Sequence, residues 1–155
     1  MGYVTEMRKK VGHDEIILAG TCVLPVQAGK VLLQKRRDNG LWAGHGGAVE
    51  IGEETEDAAR RELFEETGLI AGELELLGVF SGEKMRYVYP NGDRVAIVQI
   101  AYACSDFSGE QHAQAEEVAE LRWFPLDQLP DGISPPDRSA ICALRERLLK
   151  ESPQG

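Results

Sequence analysis

Three glutamates, Glu62, Glu65 and Glu66, follow a run of good helix formers, Ala58, Ala59, Arg60 and Arg61. At 3.6 residues per turn, spacings of three and four put all three on one helix face. Such a face is unfavourable by itself. Two carboxylates ~6 Å apart at an effective dielectric of ~20 repel by roughly 3 kcal/mol, less where water screens them. Glu65 and Glu66 also fall in the last turn, where the helix dipole disfavours anions. A hard divalent cation, Mg²⁺ or Mn²⁺, reverses both penalties, because it takes clustered carboxylate oxygens as ligands. The competing reading is a solvated, charge-laced face, which the i, i+4 pairs Glu56–Arg60 and Asp57–Arg61 suit equally well. The loop upstream weighs towards a ligand. Gly44, Gly46, Gly47 and Gly52 are costly to order unless the backbone turns tightly or passes close to a bound group. Their carbonyls can add oxygen ligands beside the helix.

The glutamates need a scaffold, and the pattern of the chain supplies one. Residues 16–26 form an apolar, β-branched run read as a buried strand, and residues 27–30 a hairpin turn leading to a partner strand over 31–37. Residues 41–52 read as a loop and 55–67 as the acidic helix, with Gly68 as a left-handed terminator and Leu69 poised to touch Phe64. A strand is expected over 74–80. Pro90-Asn91-Gly92-Asp93 is a strong turn signal between strands at 85–89 and 94–102. A short strand at 121–124, a proline-rich connection over 125–136 and a helix over 137–150 complete the chain, with a weak helix near 5–10. Strands mixed with two good helices imply an α/β or α+β fold with helices covering a sheet.

The chain has 155 residues, which suits a single domain over 1–155. With 17 Lys+Arg against 26 Asp+Glu its formal charge is −9, which repels nucleic-acid phosphates, so a long nucleic-acid partner is not expected. A small anionic substrate remains compatible if metal ions neutralise the site locally. No apolar run approaches the ~20 residues that cross a bilayer, and residues 1–10 lack the apolar core of a secretory leader. No membrane association and a cytoplasmic location are therefore expected. Cys22, Cys104 and Cys142 fit neither a disulfide framework nor a zinc site and are expected to be buried thiols.

The stretch from Gly47 to Leu69 resembles the Nudix box: a glycine, five residues, a glutamate, seven residues, then Arg-Glu-apolar-any-Glu-Glu-any-Gly-apolar. Gly47, Glu53, Arg61, Glu62, Leu63, Glu65, Glu66, Gly68 and Leu69 fill every defined position at the right spacing. The match covers about a seventh of the chain directly. A hairpin before it, a meander after it and a C-terminal helix also resemble the family. The fold this implies is α/β, the Nudix-type α/β/α sandwich with a mixed sheet.

The resemblance also implies roles. Glu62 and Glu66 would be the main metal ligands, Glu65 a further one, and the Gly46 carbonyl another. Arg61 would pair with a box glutamate, Glu53 first among them. Glu116 or Glu117 stands where relatives take one more glutamate from a later loop, and solvated loop charge is the alternative for both. Candidates for the general base are Glu53, Glu65 and the Glu116/Glu117 pair. Arg36 matches a position where relatives turn a basic residue towards phosphate, against a surface arginine beside Lys35 and Arg37. Many relatives carry proline directly before the Gly-Gly pair. His45 stands there instead and is expected at the surface, with a phosphate contact as the alternative, and Glu54 stands where a Ser or Thr cap is common.

The implied reaction is divalent-metal-dependent hydrolysis of a phosphoanhydride in a nucleoside diphosphate derivative: a triphosphate, a nucleotide sugar or a dinucleoside polyphosphate. Tyr87, 18 residues past Leu69, matches a feature of the dinucleoside polyphosphate hydrolases, or is an ordinary strand residue. No proline lies 15 or 16 residues past the box, where ADP-ribose hydrolases often have one. Trp42 and Trp123 either stack on a base or pack in the core. A homodimer is left open. The rival reading is a Nudix-fold domain that binds a nucleotide without cleaving it, and the complete set of box glutamates argues against it.

Overall fold

The protein is described by a computed structural model over residues 2–151. In chain order its elements are α1 (Tyr3–Val11), β1 (Ile16–Gln27), β2 (Lys30–Arg36), β3 (Trp42–Ala43), α2 (Thr55–Thr67), β4 (Ile70–Ala71), β5 (Glu75–Phe80), β6 (Arg86–Val88), β7 (Arg94–Cys104), β8 (Phe107–Ser108), β9 (Val118–Pro125) and α3 (Arg138–Glu151).

β1 and β7 form the spine. They run parallel from Ile16 opposite Val95 to Pro25 opposite Cys104. Side chains alternate across a strand, so a strand covered on both faces must be apolar throughout. That is what residues 22–24 and 31–33 provide. Cys22, Leu24, Val31 and Leu33 face one core with Ala140, Ile141 and Leu144 of α3. Val23 and Leu32 face the other with Ala59 and Leu63 of α2. The two helices thus cover opposite faces of a mixed sheet, the expected α/β/α architecture. β2 lies antiparallel to β1 and is flanked by β3 and β9, while β5 and β6 both pair with β7.

Local details depart from the sequence expectation where long-range pairing decides them. The β1–β2 turn uses two left-handed residues, Ala28 at φ 52° and Gly29 at φ 74°, so an alanine takes a conformation that usually favours glycine. The 41–52 loop is partly a strand, because Trp42 and Ala43 pair with β2, and Gly20–Ala48 and Val23–His45 form bridges to β1. β9 is longer than the expected 121–124 because its ladder with β2 runs from Lys30 opposite Pro125 to Arg36 opposite Val118. Gly68 ends α2 at φ 76°, its N–H bonding the Phe64 carbonyl at 2.9 Å. Phe64 itself is exposed, and Leu69 is buried with Leu63 instead. Cys142 corrects the thiol expectation: it is exposed, whereas Cys22 and Cys104 are buried. No helix of the described residues is long and apolar enough to cross a membrane.

Candidate functional site

The loop before α2 is wedged between that helix and β1, and only glycine fits there. A Cβ on Gly46 would land on the Thr21 carbonyl oxygen, and one on Gly47 would meet Glu62 Oε1 at 2.7 Å. The His45 and Gly47 carbonyls accept from the Val23 and Thr21 N–H groups at 2.6 and 2.9 Å. The Gly46 carbonyl between them accepts no hydrogen bond among the described residues. Below the loop, Arg61 donates to both oxygens of Glu53, each at 2.9 Å, and to Glu62 Oε1 at 2.8 Å. This is the pairing that the resemblance implied. It ties the loop to the helix and holds the Glu53 carboxyl down at about 2. Asp57 does not pair with Arg61, which is fully engaged by Glu53, Glu62 and, at 3.6 Å, Glu65.

The three helix glutamates are not equivalent. Glu66 is 7% exposed, on the inner face with Ala59 and Leu63. Glu62 sits at the rim, and Glu65 is more than half exposed. Burial raises the Glu66 carboxyl well above its ordinary range, helped by the charges of Glu62 and Glu117 and opposed by a hydrogen bond from Gln34. Glu66 Oε1 accepts from Gln34 Nε2 at 2.6 Å, while the buried Oε2 has no hydrogen-bond partner. Among the described residues no three such side chains form a ready-made metal cage, since Glu62 is drawn to Arg61 and Glu66 to Gln34. Even so, Glu62, Glu65, Glu66, Glu116 and Glu117 all line one cleft. Hard oxygen donors, an unpartnered buried carboxylate oxygen and a free glycine carbonyl are a donor set suited to Mg²⁺ or Mn²⁺.

A second cavity adjoins the first. Tyr87, Tyr89, Thr21, Gln99 and Asp137 are among its walls, and Arg36, Gly46, Gly47 and Tyr89 belong to both cavities. The tyrosine rings pack edge to face at 5.0 Å, and Asn39 Nδ2 donates to the Tyr87 hydroxyl at 2.8 Å. Asp137 accepts from Gln99 Nε2 and from the Gly44 N–H, each at 2.9 Å, and desolvation raises its carboxyl above the ordinary range. Gln99 Oε1 and Thr21 Oγ1 are buried without partners.

Arg36 sits where the two cavities meet, held by two bonds to Asp38 at 2.9 and 2.7 Å. A bulge in the β2–β9 ladder lies beside it, between Lys35 and Arg36. Such irregularities re-aim side chains next to sites. The same turn brings the Arg37 N–H to the Glu117 carbonyl at 3.0 Å. Glu116 and Glu117 are both exposed, and Glu117 is the one whose charge reaches Glu66.

His45 is corrected. It is neither on the surface nor aimed at a phosphate: it is fully buried, with Nε2 2.9 Å from the Leu32 carbonyl and Nδ1 3.0 Å from Gln34 Nε2. Burial lowers its pKa to about 4, so the ring is neutral. The bridge to Val23 turns its side chain inward. Trp42 packs in the core against Phe124, and Trp123 stacks on Phe107 with its Nε1 donating to Gln111; neither lines the two cavities. Sequence reasoning missed Thr21, Gln34, Tyr89, Gln99 and Asp137. Gln99 carried a signal of a kind, as a lone polar residue in an apolar strand run, whereas Gln34 merged with the Lys35-Arg36-Arg37 run that follows it. Asp137 read as an ordinary helix start.

A family model of the NUDIX domain matches residues 18–144. An oxidized purine nucleoside triphosphate hydrolase of Danio rerio is 35% identical over 71% of this chain and 67% of its own length. An ADP-ribose pyrophosphatase of Methanocaldococcus jannaschii is 39% identical over 65% of this chain, which spans 57% of that protein. Among solved structures, a MutT NUDIX hydrolase from Burkholderia pseudomallei superposes with a TM-score of 0.72 at 30% identity, covering 83% of this chain and 98% of the other.

Proposed function

The chain belongs to the Nudix hydrolase family, and on that premise we propose that it hydrolyses a purine nucleoside polyphosphate, a triphosphate first, with the help of divalent metal. The observation that carries the reading is the continuity of the two cavities through Arg36, Gly46, Gly47 and Tyr89. One end offers carboxylates, the other tyrosines and unpaired polar atoms. A base seated beside Tyr87 and Tyr89 would donate hydrogens to Gln99 Oε1 and meet the Thr21 hydroxyl and Asp137. Leaving such buried groups unpaired costs about 1–3 kcal/mol each, so a ligand that satisfies them gains selectivity as well as affinity. The substrates named for the Danio and Methanocaldococcus relatives both join a purine to a phosphoanhydride, which suits the same cleft.

Glu62 and Glu66, with Glu65 and the Gly46 carbonyl, would hold Mg²⁺ or Mn²⁺ at the phosphate end. Bound there, the metal would polarise phosphoryl oxygens, acidify water and neutralise the leaving phosphate. Arg36 would orient the phosphate chain from the junction. Glu53 is a poor proton acceptor, because two bonds from Arg61 hold it at about 2. Glu117, facing the same cleft and within electrostatic reach of Glu66, is better suited to take the water proton. Water oxygen would bond to phosphorus as the bridging P–O bond breaks, so a triphosphate cut at its inner anhydride gives a monophosphate and pyrophosphate.

The test is a panel of ordinary and oxidised purine nucleoside triphosphates, ADP-ribose and dinucleoside polyphosphates with Mg²⁺ or Mn²⁺, run in ¹⁸O-water. Metal-dependent cleavage with the label on a phosphate oxygen is the expected result. Nucleotide binding without cleavage by either metal would overturn the reading.

A further inference from the structure

We propose that Gln34 and His45 are a buried positioning pair that fixes the Glu66 carboxylate from behind, leaving Oε2 free for the cleft. The inference rests on Glu66 being a metal ligand. Gln34 lies on β2 and is 3% exposed, so its amide has no water to fall back on. Its Nε2 faces three acceptors: Glu66 Oε1 at 2.6 Å, His45 Nδ1 at 3.0 Å and the Gly44 carbonyl at 3.3 Å. His45 decides that orientation. Its Nε2 lies 2.9 Å from the Leu32 carbonyl, which can only accept, so Nε2 carries the ring hydrogen and Nδ1 presents a lone pair. A flipped Gln34 would aim its own oxygen at three acceptors. The amide is locked, and both its hydrogens are spoken for by Glu66 and the His45–Gly44 side.

Glu66 follows from that lock. One oxygen is captured by a short bond from Gln34, and the other is buried and unpartnered on a residue that lines the cleft. The arrangement has the form of outer partners that orient a ligand and raise its affinity for metal. A proline at position 45 would remove both the Nδ1 acceptor and the N–H that bonds the Val23 carbonyl at 3.1 Å.

The experiment uses Mn²⁺ alone, titrated into the substrate-free protein and followed by the electron paramagnetic resonance of free Mn²⁺. His45→Phe keeps the volume but removes the acceptor, and Gln34→Leu removes the donor. Each should weaken Mn²⁺ binding about 10- to 100-fold. His45→Asn, whose side-chain oxygen can stand in for Nδ1, should restore affinity to within about threefold. At saturating Mn²⁺ kcat should largely recover in His45→Phe, while KM for the nucleotide stays near wild type. A folded His45→Phe with wild-type affinity, or a His45→Asn as weak as His45→Phe, overturns the pair while leaving the metal reading intact. A wild-type protein that binds no Mn²⁺ overturns the metal reading and the pair with it. Should the variants misfold, ¹⁵N-histidine NMR of the wild type decides. An unprotonated Nδ1 that shifts on Mg²⁺ addition is expected, and a protonated or unresponsive Nδ1 overturns the proposal.

Discussion

The carboxylate end of the cleft and the tyrosine-walled end are built in opposite ways. Glu53, Arg61, Glu62, Glu65 and Glu66 come from 14 consecutive residues, and a single helix with its leading loop brings them together. Thr21, Tyr87, Tyr89, Gln99 and Asp137 come from β1, β6 and the turn after it, β7 and the turn before α3, and meet only when the sheet is assembled. The first region is charged and internally paired through Arg61. The second is largely neutral and keeps polar atoms in reserve. Reaction chemistry that many substrates share can reside in a compact local segment, whereas recognition of one substrate draws on segments that vary independently.

The comparison breaks most sharply if the two ends are not separable in kinetics. Glu66→Gln and Glu62→Gln should each lower kcat about 10²- to 10³-fold, ~3–4 kcal/mol of barrier, with little change in KM. Glu66→Gln should also raise the melting temperature in metal-free buffer, because it removes a charge that burial disfavours. A matching loss in KM would mean that Glu66 binds the ground state instead. Next comes the wall behind the two ends. The unfolded chain protonates His45 near its ordinary 6.5, while the folded protein resists until about 4. Its contribution to stability is therefore complete above 6.5 and lost as pH falls from 6.5 to 4, by ~3 kcal/mol in all. Urea unfolding across this window, with His45→Asn as the flat reference, measures it.

Glu117→Gln should lower kcat by about a hundredfold, whereas Glu116→Gln stays within about threefold. Equal effects would remove the distinction between the two loop glutamates. At the other end, Gln99→Leu should raise KM about tenfold for the preferred base and narrow its margin over other bases, leaving kcat within about threefold. The smallest effect belongs to the outer face of α2. Glu56 and Arg60 are 4.0 Å apart and exposed, so Glu56→Ala should shift unfolding free energy by less than about 0.5 kcal/mol.

What could be read in advance follows the same division. The Glu53–Arg61 pairing and the α2 boundaries depend on near neighbours, and spacing together with the family pattern carried them. The two-sided burial of 22–24 and 31–33 was implicit in continuous apolar runs. His45 was misjudged because its neighbours in sequence are glycines, and nothing local says that a bridge to Val23 turns the ring inward towards Gln34. Nothing local in sequence shows that the turn at Arg37 bonds the Glu117 carbonyl and brings Glu116 and Glu117 to the same cleft as Glu66.

The sequence by itself determined the family, the acidic helix, the glycines that let a loop lie against it, and the alternation that buries both faces of a mixed sheet. These rest on helical and strand periods and on backbone sterics, which act over a few residues. The tertiary structure decided which glutamate is buried, what stands behind it, and which atoms at the far end of the cleft lack partners. Those properties depend on desolvation and on hydrogen bonds between residues as distant as Gln34 and Glu66 or Gly44 and Asp137, and neither is set until the sheet and both helices have closed around them.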